Sequence, residues 1–172
     1  DDIENLKSKF SIPVIGTVGS VKNLIHLGVF NNPKSSFAES FRIIRSNMYF
    51  LLKNKSYQHS QVVLVTSSIS GEGKTTVAAN LASVFALSGK KTLLINMDLR
   101  KPRLHEEFDM RNDFGVVNLL VDKDDIDSVK HSTKIDNLDV IFSGPNPPNP
   151  SELIISPRMG KLIEQARSRY SR

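Results

Sequence analysis

One stretch of the chain combines residue types and spacing that suit phosphate chemistry: Ser68-Ile69-Ser70-Gly71-Glu72-Gly73-Lys74-Thr75-Thr76. Gly71 and Gly73 let the backbone turn its amides inward as an anion-binding nest. A helix starting at Lys74 would add the partial positive charge of its N-terminus. The Lys74 ammonium can reach the β- and γ-phosphates of a nucleotide, and the Thr75 hydroxyl can ligate Mg²⁺. Ser68, Ser70, Gly71, Glu72, Gly73, Lys74, Thr75 and Thr76 are therefore the candidate ATP/ADP-binding residues. The usual P-loop pattern opens with glycine, and here Ser68 holds that place. A glycine-rich turn that binds nothing is the alternative. The Gly-Lys-Thr run between a strand-like and a helix-like segment argues against it.

A second group of chemical residues follows in Asn96-Met97-Asp98-Leu99-Arg100. If the preceding residues form a strand, this group leaves its carboxyl end, where open α/β sheets bind ligands. The Asp98 carboxylate can hold Mg²⁺ directly or through water, and Arg100 can meet a phosphate or carboxylate as a fork. The alternative for Asp98 is a cap on the next helix. A third set, Glu39, Arg42 and Arg45, recurs every three residues. By spacing alone such a stripe reads as a charged, solvated helix face.

The elements that must position these groups are legible from pattern. Phe37, Phe41, Ile44, Met48 and Leu52 recur at helical spacing. Ser36-Phe37-Ala38-Glu39 reads as a capping box with Ser36 as N-cap. With Glu39 set at zero, Arg42 falls at about 300° and Arg45 at about 240°, against an apolar face centred near 180°. Glu39 and Arg42 thus point away from the core, with Arg45 on the flank. Gln61 to Thr66 is a short β-branched apolar run and predicts a buried parallel strand. Thr75 to Leu87 predicts a helix stopped by Gly89 at C′. Lys91 to Met97 predicts a second strand, which completes a βαβ unit, and Leu138 to Phe142 a third. The stiff loop Gly144 to Pro150 precedes helical patterns at Ser151 to Ile154 and Arg158 to Arg169. Earlier, Ile3 to Phe10 is amphipathic, Pro13 and Gly16 confine any strand there to an edge or an irregular segment, and Asn31, Asn32 and Pro33 mark a loop.

Composition narrows the class. A chain of 172 residues with 39% hydrophobic and 24% charged residues suits a single globular domain. The absence of cysteine excludes disulfides and thiolate metal sites. No apolar run approaches the roughly 18 residues of a membrane span. The net charge of +5 comes from scattered Lys and Arg, and aromatics do not interleave with a basic patch, so no nucleic-acid partner is expected. His26, His59, His105 and His131 are spread too widely for a metal site and give no catalytic triad.

Three separated segments together resemble the cytoplasmic domain of bacterial tyrosine kinases, the BY-kinases of exopolysaccharide and capsule export. They are the Walker A segment Ser68 to Thr75, a Walker A′ element at Asn96 to Arg100, and Glu39-x-x-Arg42-x-x-Arg45, which matches the family's ring-packing motif. Asp2 to Gly16 and Pro148 to Leu153 also resemble family segments. The resemblance implies an α/β fold, P-loop NTPase-like, with a parallel sheet flanked by helices in a three-layer (MinD/ParA-like) sandwich. It implies one domain over 1–172, divided into a lead from a membrane segment (1–34), an oligomerisation helix (35–53) and a nucleotide-binding core (61–172).

The resemblance further implies autophosphorylation on tyrosine with ATP and Mg²⁺ at the cytoplasmic face of the inner membrane. Lys74, Asp98, Arg100 and the Asn96 position would be the catalytic groups, with Thr75 and Asp98 on the metal. Partners would be further copies in a ring, a transmembrane activator segment, fused or separate, and tyrosine substrates including a C-terminal tail. Two departures stand out. Asn96 occupies a position where the family carries Asp, and Asn cannot ionise. The family would also continue past Arg172 into a Walker B strand and a tyrosine-rich tail, whereas Tyr49, Tyr57 and Tyr170 form no cluster. Alternatives are a partitioning or division-site ATPase, whose second signature lysine is replaced here by Ile69, and a degenerate nucleotide-binding regulator.

Overall fold

The computed structural model describes residues 9, 12–19, 26–52, 60–122 and 125–170. Tyr57, and the amphipathic start except Lys9, lie outside the described residues. In chain order the elements are α1 (Gly28–Asn31), α2 (Ser36–Leu52), α3 (Lys74–Ala86), β1 (Thr92–Ile95), α4 (Leu104–Phe108), α5 (Val116–Asp122), α6 (Ile126–Val129), β2 (His131–Ser132), β3 (Leu138–Ile141), α7 (Pro150–Ile154) and α8 (Pro157–Arg169). β1 and β3 run parallel, in register from Thr92 opposite Leu138 to Ile95 opposite Ile141. β2 pairs antiparallel with β3, so the strand order is β1-β3-β2.

The two-residue alternation of strand side chains splits the core into two sides of this sheet. Leu94, Leu138 and Val140 face Ala79, Ala82 and Ala86 of α3, with Leu104, Phe108 and Phe142 beside them. Leu93, Ile95 and Ile141 face the opposite way, onto Val116, Leu119 and Leu120 of α5, Ile126 and Val129 of α6 and Leu162 of α8. Behind α3 a third cluster joins Val29, Ala38, Phe41, Ile44 and Met48 to Leu81 and Val84. Helices thus cover both sheet faces, as the α/β reading requires, and α2 forms a further layer outside α3. Small residues on α3 let it lie close to the strands.

Local signals hold well in the helices. The apolar stripe of α2 is buried at Phe41, Ile44 and Met48. Gly89 ends α3 in the left-handed region at φ 85. Its amide donates to the Ala86 carbonyl and the Lys90 amide to that of Phe85, closing a Schellman motif. The N-cap of α2, however, sits one residue earlier than the capping box predicts. Ser35 Oγ accepts the Ala38 amide at 3.1 Å, and the Glu39 carboxylate turns to Arg42 at 3.0 Å. Two adjacent serines make the choice ambiguous in sequence; the turn that brings Ser35 back to Asn32 settles it. Ser35→Ala should therefore lower stability by about 1 kcal/mol, while Ser36→Ala stays within about 0.5 kcal/mol. Urea unfolding midpoints check both.

Two strand expectations are corrected. Gln61 to Thr66 forms no strand and is not buried: Val62, Val63 and Leu64 are 62%, 47% and 80% exposed. A strand exists only with a neighbour that takes up its amides and carbonyls, and no described segment offers that run a ladder. The sheet is also mixed and not wholly parallel. The short connection at 133–137, turned by Asn137 at φ 66, can only return antiparallel.

Candidate nucleotide-binding site

Gly71 and Gly73 lie at φ 88 and 87, the region where only glycine sits without strain. Neither has any atom within 4 Å of where a Cβ would be, so the loop opens to solvent. Gly73 is the N-cap of α3 and provides no side-chain cap, and the first turn carries no acidic residue. The first amides of α3 are thus left for an external acceptor, with the helix dipole undiminished by a neighbouring carboxylate in that turn. This is an anion cradle built entirely from local backbone conformation.

The lysine of the loop bonds within the loop itself. Lys74 Nζ donates to Ser67 Oγ at 2.8 Å and to the Ile69 carbonyl at 3.4 Å. The Ser67 hydroxyl in turn donates to the Ile69 carbonyl at 2.8 Å. Glu72 stays at the rim and accepts the Ile69 amide at 3.2 Å. Ser68 and Ser70 are exposed, and Thr75 is half-buried. A bound phosphate would offer Lys74 a charged acceptor in place of two neutral ones, adding the attraction between opposite charges to the bond. Ser67 is a site residue that sequence reasoning missed, because no spacing rule marks it.

The segment leaving β1 is organised by turns. The Asn96 amide donates to the Ile141 carbonyl at 2.9 Å, extending the ladder past Ile95. Asn96 Oδ1 accepts the Asp98 amide at 3.0 Å. Asp98 Oδ1 then accepts the amides of Arg100 at 3.2 Å and Lys101 at 3.0 Å. This oxygen of Asp98 closes a local turn at 100–101 and does not cap the next helix, whose N-cap is Arg103 with no side-chain cap. Asp98 and Arg100 are exposed, whereas Asn96 is 8% exposed. Asn96 Nδ2 is buried with no partner among the described residues, an arrangement that costs about 1–3 kcal/mol when nothing fills it. The donor set suits a triphosphate. For Mg²⁺ the ligands expected from sequence would be the Thr75 hydroxyl and one carboxylate, Asp98, with a neutral amide at 96. Among the described residues no cluster of three or more His, Asp or Glu could hold a metal without help.

The Glu39, Arg42 and Arg45 stripe divides on folding. Glu39 and Arg42 pair at the surface, and Arg42 also donates to the Pro33 carbonyl at 2.6 Å. Arg45 instead donates from Nη1 to the Val84 carbonyl at 3.1 Å and so ties α2 to α3. Ile43, Tyr49 and Phe50 are 50%, 61% and 69% exposed on the same helix. The spacing of the buried stripe gives no sign of these outward apolar residues.

Two further clusters brace the frame. Beyond β3, Asn112 accepts the Gly144 amide at 2.9 Å and donates to the Gly144 carbonyl and to Ser143 Oγ, each at 3.0 Å, anchoring the stiff loop. Near the sheet edge where β1 and β3 begin, the Tyr170 hydroxyl donates to Asp139 at 2.7 Å. Burial, followed by that bond to Asp139, pushes the Tyr170 phenol well above its ordinary range. Arg169 clamps Asp125 and Asp127, and the bond from Lys130 holds the Asp127 carboxyl below its usual value. These contacts fasten the end of α8.

Residues 63–167 match the family described as the CobQ/CobB/MinD/ParA nucleotide binding domain. Tyrosine-protein kinase YwqD of Bacillus subtilis is 43% identical over 138 residues, covering 80% of this chain and 57% of its own length. The putative tyrosine-protein kinase CapB of Staphylococcus aureus is 41% identical over 145 residues, covering 84% of this chain and 62% of its own. The chain thus spans less than two thirds of either relative. Among solved structures, the kinase domain of Escherichia coli tyrosine kinase ETK superposes with a TM-score of 0.85 at 32% identity, over 97% of this chain and 68% of that one. The chimerical protein CapA2B2 superposes with a TM-score of 0.86 at 39% identity, over 97% and 71%. No described helix is long and apolar enough to cross a membrane. With its glycine-flanked cradle at the head of α3, the chain belongs to the CobQ/CobB/MinD/ParA nucleotide-binding family and, within it, to the bacterial tyrosine kinases.

Proposed function

We propose that the chain forms most of the catalytic domain of an ATP:protein-tyrosine phosphotransferase that modifies its own copies and regulates exopolysaccharide or capsule export. The observation that carries this reading is the pair of left-handed glycines leading into Lys74 at an uncapped helix N-terminus. Phosphoryl transfer is mostly positioning and charge neutralisation. Lys74 and the loop amides would hold the phosphates, and Arg100, exposed and without an ion pair among the described residues, would offset charge on the transferred group. Thr75 and Asp98 would hold Mg²⁺, which when bound neutralises the phosphate oxygens. Asp98 would do so through the oxygen not engaged in its turn.

The proposed assembly follows from the stripe on α2. Glu39 and Arg42 are at the surface and available to a second copy, whereas Arg45 would have to leave Val84 to join them. A ring would deliver a neighbour's tyrosine tail repeatedly at high effective concentration. A transmembrane activator segment, fused or separate, would place the domain at the cytoplasmic face of the inner membrane. Residues 1–34 would form the lead, 35–53 the assembly helix and 61–172 the nucleotide core.

A second reading, a nucleotide-binding regulator without turnover, is favoured by one observation: Asn96 puts an unpartnered amide where a carboxylate would strengthen a metal site. Phosphotyrosine formation by the intact polypeptide with Mg·ATP distinguishes the two. The parent should become labelled, and Asn96→Asp should raise the rate by about tenfold through better charge placement. Labelling absent from both, with nucleotide still bound, would support the regulator. Equal rates would show that Asn96 is not a deficit.

A further inference from the structure

Glu107 has no part in the roles assigned above, yet it is the buried charged residue nearest in bonding to the phosphate loop. Its side chain is 6% exposed. Oε1 accepts the Thr76 hydroxyl at 2.8 Å, one residue beyond the proposed metal-binding Thr75. Oε2 accepts the Leu27 amide at 3.4 Å and faces His26 Nδ1 at 3.3 Å. One turn further along α3, Asn80 donates to the Thr76 carbonyl and accepts the Val29 amide, both at 2.9 Å. Thr76 and Asn80 share a helix face, so the same stripe of α3 grips α4 through Glu107 and the lead through the Val29 amide, while Glu107 itself holds the Leu27 amide.

Leu27 is held at φ 49, a left-handed conformation that a leucine adopts only when its surroundings impose it. Its amide is one of the groups that Glu107 receives. A buried carboxylate is tolerated only with such partners, so all of them must be in place together. We propose that Glu107 is a positioning residue for the phosphate loop: it joins the first turn of α3 to the lead at His26 and Leu27, so that docking of the lead sets nucleotide affinity. The proposal rests on the nucleotide site described above. It adds a route by which whatever pulls on the lead reaches that site without touching nucleotide.

The test uses the intact polypeptide and a fluorescent ADP analogue with Mg²⁺, alongside amide hydrogen exchange in the absence of nucleotide. Glu107→Leu keeps an apolar volume in the same place but removes both acceptors. It should weaken nucleotide binding about fivefold or more and raise exchange at 26–31 and at 74–80 together. Thr76→Val, which breaks the link from the other side, should raise exchange at 26–31 although it alters no residue there. His26→Ala, at a 61% exposed side chain, should weaken binding about twofold with the melting temperature unchanged. Glu107→Gln, which keeps one acceptor for Thr76, should restore affinity to within about twofold of the parent.

A folded Glu107→Leu protein that binds like the parent overturns the proposal while leaving the site reading intact. If Glu107→Leu does not fold, parent-like exchange at 26–31 in Thr76→Val together with parent-like binding in His26→Ala overturns it. A parent without nucleotide affinity sinks the site reading and this proposal with it.

Discussion

Replacing Lys74 with Met should reduce phosphotyrosine formation by at least about 100-fold, the scale lost when a preorganised charge at a transferring group is removed. The chain length of the side chain is nearly kept, so the loss is one of charge. Among the described residues Lys74 bonds to Ser67 and the Ile69 carbonyl at the half-buried mouth of the loop. Its removal should therefore change the unfolding midpoint little, by about 0.5 kcal/mol or less. Loss of labelling with an unchanged midpoint is the expected pair of results, read by anti-phosphotyrosine blotting and urea titration. Undiminished labelling would remove Lys74 from the mechanism. Ser67→Ala is the informative companion. It frees the lysine from a neutral acceptor, and nucleotide affinity should stay equal or rise slightly.

The largest structural effect should come from Gly115→Ala. A Cβ there would lie 2.0 Å from the Phe142 carbonyl oxygen, 2.5 Å from its carbon and 2.6 Å from the Gly144 amide nitrogen. All three are backbone atoms at the end of β3, so no rotamer change relieves the clash. The same approach lets the Val116 amide donate to the Phe142 carbonyl at 2.8 Å and the Val117 amide to that of Ser143 at 2.9 Å. The substitution must push α5 away from the strand and break these bonds. We expect a loss of about 3 kcal/mol or more, or about 6–12 °C in melting temperature for a domain of this size. Gly160→Ala is the control, because it lies in α8 with nothing within 4 Å of a new Cβ. It should stabilise by about 0.5–1 kcal/mol. Calorimetry on both variants decides, and a Gly115→Ala melt equal to the parent's would mean that the close approach is not required.

What could be read from sequence shares one physical character. Gly71 and Gly73 announce positive φ, and the Gly-Lys-Thr run announces a phosphate cradle, because a glycine's conformational freedom and a helix N-terminus are properties of adjacent residues. The stripe from Phe37 to Leu52 announces α2 for the same reason: its period is set by one chain's own geometry. The Schellman end at Gly89 is equally local. The resemblance to tyrosine kinases rested on such short contiguous segments, and the comparisons support it.

What the tertiary structure decided depends on neighbours distant along the chain. Gln61 to Thr66 has the residues of a strand, but a strand needs a partner for its backbone, and no spacing within the run says whether one is present. Arg45 belongs by spacing to the outward stripe, yet the Val84 carbonyl lies within its reach and draws it in. Glu107 reads as one more acidic residue in a charged run; only the approach of α4 to α3 and the lead turns it into a buried joint. Sequence alone determined the chemistry this protein can present, because that chemistry is local. Which side chains are spent on holding the fold and which remain for a ligand was decided by long-range packing, where burial and bond partners are set by whatever element happens to arrive.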